Sequence, residues 1–390
     1  MTSEVLTDAE GIGRLAPEWL ALWARQERPL ADQRPDWLLT RAGWEHCELC
    51  VGALRSGNEL VAVAPFLVPV RDGRRGRAVI PRSACPPIIV ERSADLAAAL
   101  LEPTLGSLAG YDRVQVGYIE QGTPVCEAVL RSRRLRAHWS PCRLTPWTYR
   151  WRIRVDGDFD AYLQARWGKQ SLRKLRQEVR RLESEMVGVL DLRIVARPEE
   201  TSDLHTWVSK VLERSWRARF GYDWTLWTAG RRQRAEWQAE RGLLRAYVLL
   251  GRGEPIAFVV GSLAEGCFLV EKVGYDADWE RRAPGKVLWH YILQDLHREP
   301  EARWVDFEHQ DWEYKRRLAT EGALEANVIL VRRRLPALAR SAPFVARHAL
   351  RRELLQAANR WGLRARLQRS LERSPHAAWL QPLKRWLSPS

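Results

Sequence analysis

Along residues 147–155, Trp147, Tyr149, Trp151, Ile153 and Val155 alternate with Thr148, Arg150, Arg152 and Arg154. A period of two predicts a strand with an apolar face and a basic one. Further on, Leu172, Leu175, Val179, Leu182 and Met186 recur at intervals of three and four, which predicts a helix with one buried stripe. Asp156-Gly157-Asp158 lies between these patterns and reads as a domain boundary, giving units at 1–155 and 156–332. Before the boundary the pattern predicts helices at 18–24, 35–42, 93–109 and 125–135. It predicts strands at 48–54, 59–70 and 113–119, with shorter apolar stretches at 78–80 and 88–90 around a Pro-rich loop. After the boundary come strands at 190–195, 244–250, 256–263, 268–273, 304–307 and 326–331, and helices at 201–217, at 228–241, through Val287 to Leu296, and at 318–324. Strands and helices alternate throughout, so the expected class is α/β or α+β.

The 390 residues suit two or three domains. At 46% hydrophobic residues, wholesale disorder is excluded. No apolar run approaches the roughly 18–20 residues of a membrane span. The first residues, MTSEVLTDAEGIGRL, carry acids early and no apolar h-region, so a cytoplasmic location is expected. Cys47 and Cys50 form a CxxC beside His46, but no second pair stands at a matching spacing. Residues i and i+3 of a strand also point to opposite faces. Core thiols are expected there, and no metal.

Candidate chemistry concentrates where the strand ending at Tyr275 runs through Arg281-Arg282-Ala283-Pro284-Gly285-Lys286 into a helix carrying Val287, Leu288, Tyr291, Ile292 and Leu296. A helix N-terminus leaves N–H groups unpaired and carries partial positive charge. Pro and Gly at its entry, with Arg282 and Lys286 beside it, make a plausible pyrophosphate cradle. A plain helix start with solvated arginines is the other reading of the same residues.

From Phe159 to Val331 the chain resembles the GNAT acyltransferase superfamily, in its cellulose-biosynthesis-protein-like and FemAB-like branch. The residues that carry this are Ser171 to Arg176 with Arg180 to Glu183, Glu213 to Trp216, Gly253 to Phe258, Tyr275 followed by Ala283-Pro284-Gly285, and Asp306-Phe307 with Asp311 and Tyr314-Lys315-Arg316. The first 150 or so residues resemble the N-terminal half of the same proteins. The expected fold is therefore a tandem pair of GNAT-like units, the first degenerate. Two departures stand out: Glu308 and Gln310 occupy positions where the branch has glycines, and Ala283 replaces a common Ser.

The resemblance implies a sheet splayed between strands 256–263 and 268–273, with an acyl-CoA, acetyl-CoA or longer, in the gap. Phe258, Val259 and Val260 would bond the pantetheine arm. Arg282, Pro284, Gly285, Lys286 and Val287 would hold the pyrophosphate, with Lys315 on phosphate or a substrate carboxylate. An amine would attack the thioester directly. Glu271 is the first candidate base, and His309 and Asp311 are the second. Tyr314 is a candidate acid for the departing thiolate, and Ser215 and Trp216 would line the acceptor pocket. The acceptor would be a small-molecule or peptide amine. Aminoacyl-tRNA is the alternative donor, with a peptide or lipid acceptor, and a non-catalytic docking module is the third reading.

Charge refines the picture. The formal net charge of +15 is uneven: residues 332–390 hold +12 and residues 164–182 hold +6, leaving the rest at −3. The 333–390 tail spaces Leu350 and Leu354, then Leu363, Leu367 and Leu371, as an amphipathic helix. Such a tail suits an anionic membrane face, RNA or a biosynthetic partner. The basicity thus concerns docking more than the reaction.

Overall fold

The computed structural model describes residues 1–70, 80–89, 93–187, 189–215 and 227–360. In chain order the first elements are β1 (Thr2–Leu6), α1 (Ala9–Ala24), α2 (Pro35–Trp44), β2 (Cys47–Ser56), β3 (Glu59–Pro69), β4 (Arg82–Ser83), β5 (Ile88–Ile89), α3 (Ala94–Ser107), β6 (Arg113–Glu120), α4 (Pro124–Arg131), α5 (Arg133–His138) and β7 (Trp139–Arg143). There follow β8 (Thr148–Arg154), α6 (Phe159–Arg166), α7 (Lys169–Glu185), β9 (Leu190–Val195), α8 (Thr201–Arg214), α9 (Ala229–Glu240), β10 (Leu244–Gly251), β11 (Glu254–Ala264) and β12 (Cys267–Tyr275). The last are α10 (Pro284–Arg298), β13 (Trp304–Asp306), α11 (Glu313–Leu318), β14 (Glu321–Arg332) and α12 (Leu335–Arg360).

These elements form two compact units. Unit 1 is Met1–Tyr149 with the segment from Ala323 onward, and unit 2 is Arg150–Gly322. The chain therefore changes unit inside β8, a few residues before the expected boundary at 155. It returns through β14, which pairs with β6 and β7 of unit 1 although the pattern had assigned it to the second unit.

In unit 1 the strands run in the order β1-β2-β3-β4-β6-β14, with β5 on β3 and β7 on β14. Its core gathers Leu96, Leu100, Leu101 and Leu105 of α3 against Val114, Val116 and Ile119 of β6. β1 is an element that the polar N-terminal residues conceal. The helix expected at 125–135 is two, because the chain turns at Ser132. Cys50 Sγ meets Ser107 Oγ at 3.2 Å while Cys47 Sγ meets the Glu45 carbonyl at 3.4 Å, so the CxxC pair diverges as a strand requires.

In unit 2 the order is β8-β13-β12-β11-β10-β9. One face carries α6, α7 and α10, with Leu172, Leu175, Val179 and Leu182 packed against Phe268, Val270 and Ile292. The other carries α8 and α9, with Val208, Val211 and Leu212 against Ala246, Val248, Phe258 and Val260. The helical stripe of α7 is buried as its spacing requires, and Trp167-Gly168 breaks α6 from α7. The short helix expected at 318–324 lies earlier, at Glu313–Leu318, because Ala319 onward is extended.

The alternating strand β8 buries both of its faces: Ile153 is fully buried and Trp151 packs on the core, yet the basic face is withdrawn from water as well. Arg150 and Arg152 are buried, whereas Tyr149 is 41% exposed. The reason is Asp306 of β13, which lies opposite Arg152 in the antiparallel ladder. Nε of each arginine donates to it, Arg150 at 2.9 Å and Arg152 at 3.0 Å. Burial works against ionising the Asp306 carboxyl, yet the two guanidinium groups outweigh burial and hold it well below the usual carboxylate range.

In the tail, α12 leaves Leu350 62% and Leu354 44% exposed, so they do not form an inward stripe. Leu363, Leu367 and Leu371 lie outside the described residues, as do 78–79, Val90 and the end of the helix expected to reach 217. Among the described residues no helix is long and apolar enough to cross a membrane.

Candidate active site

The site is built where two strands part. β12 and β13 run parallel, and their ladder comprises Cys267 with Trp304, Phe268 with Val305, and Leu269 with Asp306. Beyond Leu269, β12 continues to Tyr275 while β13 stops. The edge of β12 from Val270 to Tyr275 therefore has no strand on that side among the described residues. Such an edge can take an extended ligand as an added strand. It leads through a 3-10 turn at Ala277–Arg282 into the first turn of α10.

The expected gap between strands 256–263 and 268–273 is closed. β11 and β12 form a continuous antiparallel hairpin from Ala257–Tyr275 to Ala264–Cys267. Phe258, Val259 and Val260 are flanked on one side by β10 and on the other by β12. Their backbone groups belong to the sheet, which corrects the expectation that they bond a pantetheine arm. The opening lies one strand further on, because α10 makes the crossover that a parallel pair requires.

A bulge sits at the mouth of this opening. Val260 pairs with Lys272 and Gly261 with Val270, so Glu271 has no opposite residue on β11. Gly261 is required there, since a Cβ would stand 2.2 Å from the Leu269 carbonyl oxygen. The bulge directs Glu271 toward α9, and its side chain is only 13% exposed. Arg234 Nη2 donates to Glu271 Oε1 at 2.8 Å, Gln238 Nε2 at 2.7 Å and Ser262 Oγ at 3.2 Å. Three donors on one oxygen fix the carboxylate, and Oε2 accepts no hydrogen bond among the described residues.

The loop after β13 forms the second wall. Glu308 and Gln310 have φ of 56° and 81°, a left-handed region that costs most residues about 1–2 kcal/mol. The backbone shape that glycines would supply is thus present without them. Lys315 underlies it: buried at 6% exposure, its ammonium donates to the carbonyls of Phe307 and His309, each at 2.6 Å. Its charge serves the loop, which contrasts with the expected phosphate role. The Asp306 carboxylate accepts from the Glu308 N–H at 2.8 Å and ties the loop to the buried arginines. Asp311 accepts from Trp151 Nε1 at 2.8 Å and from Arg316 at 2.8 Å. Tyr314 packs on Phe307 and Trp289, with ring centroids at 6.1 and 6.4 Å. His309 stands half-buried between Glu308 and Gln310.

At the α10 end, Ala283 is the N-cap with φ of 51°, no side chain caps the helix, and Pro284 opens it. Nothing in the packing demands glycine at 285, where a Cβ would meet Tyr275 at an ordinary 3.7 Å. Val287 is fully buried, so only its backbone could face a ligand. Arg282 and Lys286 are paired with α7, through Glu185 at 2.6 Å and Glu178 at 3.1 Å. These exposed pairs are weak and exchangeable. Ser215 Oγ donates to the Leu212 carbonyl at 2.7 Å and closes α8, and Trp216 lies outside the described residues.

Arg231 and Arg234 of α9 escape the sequence pattern, because nothing local marks an arginine that faces a bulge on a distant strand. Burial lowers the affinity of the Arg231 guanidinium for its proton, while the nearby carboxylates of Glu308 and Glu271 oppose that. No group of three or more His, Cys, Asp or Glu capable of holding a metal occurs among the described residues.

Residues 169–316 match the family model described as "Acetyltransferase (GNAT) domain". No curated protein matches the chain significantly. Among solved structures, FemX is similar at a TM-score of 0.58 and 11% identity, over 87% of this chain and 99% of that one. A conserved protein of unknown function from Bacteroides thetaiotaomicron is similar at 0.51 and 12%, over 82% and 97%. A tandem GNAT protein from the clavulanic acid biosynthesis pathway scores 0.47 at 16%, over 85% and 98%. The fold is α/β, a tandem arrangement of GNAT-like units.

Proposed function

We propose that unit 2 transfers an acyl group from an acyl-CoA thioester to an amine. The open edge of β12, running from the Glu271 bulge to the uncapped start of α10, carries this reading. An extended pantetheine arm would lie on the Val270–Tyr275 edge as an added strand. Its pyrophosphate would meet the first turn of α10, where the helix dipole and the Gly285 N–H favour an anion, the N–H groups of Lys286 and Val287 already donating to the Ala283 carbonyl. Lys286 and Arg282 would then exchange their α7 carboxylates for phosphate oxygens. The glycine at 285, which packing does not require, allows backbone approach.

In the reaction the amine nitrogen attacks the thioester carbonyl, the C–N bond forms and the C–S bond breaks. The ammonium proton passes to Glu271 Oε2, directly or through water, and the departing thiolate takes a proton from solvent or Tyr314. Glu271 is suited to this because Arg234, Gln238 and Ser262 hold it by its other oxygen. Calorimetric titration with acetyl-CoA tests the donor. Wild type should bind, Lys286→Glu should bind about 10-fold more weakly or worse, and absence of binding at millimolar donor would end the proposal.

A second reading, aminoacyl-tRNA as donor, is favoured by α7. There Lys169, Arg173, Lys174 and Arg180 are exposed and make no ion pair among the described residues. Activity that depends on tRNA would vanish with ribonuclease, and tRNA binding would weaken steeply with salt. Activity indifferent to both excludes it.

A further inference from the structure

The face of unit 2 beneath the bulge brings together four arginines with the carboxylates of Asp306, Glu271 and Glu308. Arg150 and Arg152 share Asp306, and Arg234 holds Glu271. Among the described residues Arg231 belongs to neither set. It stands three residues before Arg234 and so lies on the same side of α9, one turn nearer the helix start. It is half-buried, and no carboxylate comes within ion-pair distance of it among the described residues. The acids that act on it are Glu308, in the loop beyond β13, and Glu271, on the bulge. A guanidinium withdrawn from water without an anion is costly, and an anion delivered by a ligand would relieve that cost.

We infer that the acceptor is an amino acid or the terminal residue of a peptide: Arg231 takes its carboxylate while Glu271 Oε2 takes its ammonium. The inference rests on the acyl-transfer reading for the role of the amine, and it adds the second charge that the acceptor must carry. A guanidinium and a carboxylate on facing elements suit a zwitterion, whose two charges are a few ångströms apart. They suit a simple amine poorly, because Arg231 would repel it. A neutral amide of the same amino acid would lose the charge-assisted contact and keep the other.

The experiment uses the full chain and two probe sets, the standard α-amino acids and their carboxamides. Each probe is offered with acetyl-CoA while thiol release is followed, and alone while the melting temperature is read. Wild type should favour at least one acid over its amide by about 10- to 100-fold in kcat/KM, the range of a charge-assisted hydrogen bond. The same acid should raise the melting temperature where its amide does not. Arg231→Gln should abolish both preferences, with KM rising for the acid and unchanged for the amide, and Arg231→Lys should restore part of them. Acid-selective stabilisation without turnover would uphold the subsite and overturn the donor reading. A wild type that treats acids and amides alike, or an Arg231→Gln variant that keeps the preference, overturns the subsite, and turnover under those conditions leaves acyl transfer standing.

Discussion

In unit 1 the helix that joins the two parallel strands, α3 between β4 and β6, starts under a hydroxyl. Ser93 accepts from the Leu96 N–H at 3.3 Å, and Asp95 sits in the first turn. In unit 2 the corresponding helix, α10 between β12 and β13, starts with no side-chain cap, with Pro284 and Gly285, and with no acid in its first turn. The strands before them differ as well. β4 is two residues long, whereas β12 runs on past its parallel partner and leaves an edge open. Charge is also buried to different depths. Unit 1 has Gln115 donating to Asn327 at 3.1 Å and keeps its sheet ion pair, Arg55 with Glu4, part-exposed, while unit 2 takes Arg150 and Arg152 inside against Asp306. On the proposed reading the two units would thus divide labour: the helix start in unit 1 is closed by its own side chain, and the one in unit 2 is left for an anion.

The comparison can be tested from its largest expected effect downward. Asp306→Asn should lower the stability of unit 2 by about 3–5 kcal/mol, because it strands Arg150 and Arg152 in the interior. Denaturant unfolding measures that loss. The pH dependence has a definite sign. The folded carboxyl titrates below its unfolded value, so its contribution is complete above the ordinary carboxylate range. It is lost as pH falls below about 4, and the Asn variant should lack that component.

Glu271→Gln keeps an acceptor for Arg234 and Gln238 but cannot take a proton. Turnover should fall about 100-fold or more with little change in the donor Kd, and steady-state kinetics beside calorimetry separates the two. An unchanged kcat would move the base to another residue. Ser93→Ala should cost unit 1 about 1 kcal/mol, the usual value of an N-cap, and should leave acetyl-CoA affinity unaltered. A change in that affinity would break the division of labour. Ala283→Gly should relieve the left-handed backbone at φ of 51°. A rise in the melting midpoint equivalent to less than about 1 kcal/mol is expected.

What was legible in the sequence was local. The stripe from Leu172 to Met186 and the hairpin strands needed only spacing, and both stand in the structure within a residue or two. Partnerships across the chain were not legible. Arg150 and Arg152 read only as the basic face of a strand, and nothing local marks that Asp306, some 150 residues later, takes them inside. The splay was placed one strand early because the resemblance was mapped onto strands 256–263 and 268–273, whereas the sheet opens where β12 outruns the short parallel strand β13, a pairing that leaves no local pattern. Lys315 looked like a phosphate ligand because its type fits that role, but its position under two carbonyls gives it another. Glu308 and Gln310 show the converse, since absent glycines did not mean an absent turn.

The central claim is that a thioester donor lies along the open edge of β12 and ends at the start of α10, in unit 2 alone. Hydrogen exchange of the full chain with and without saturating acetyl-CoA measures this directly. Slowed exchange confined to Val270–Tyr275 and Gly285–Val287, with α3 and β4 of unit 1 unchanged, is the result predicted. Protection at the start of α3, or no protection along β12 while donor is bound, would contradict it.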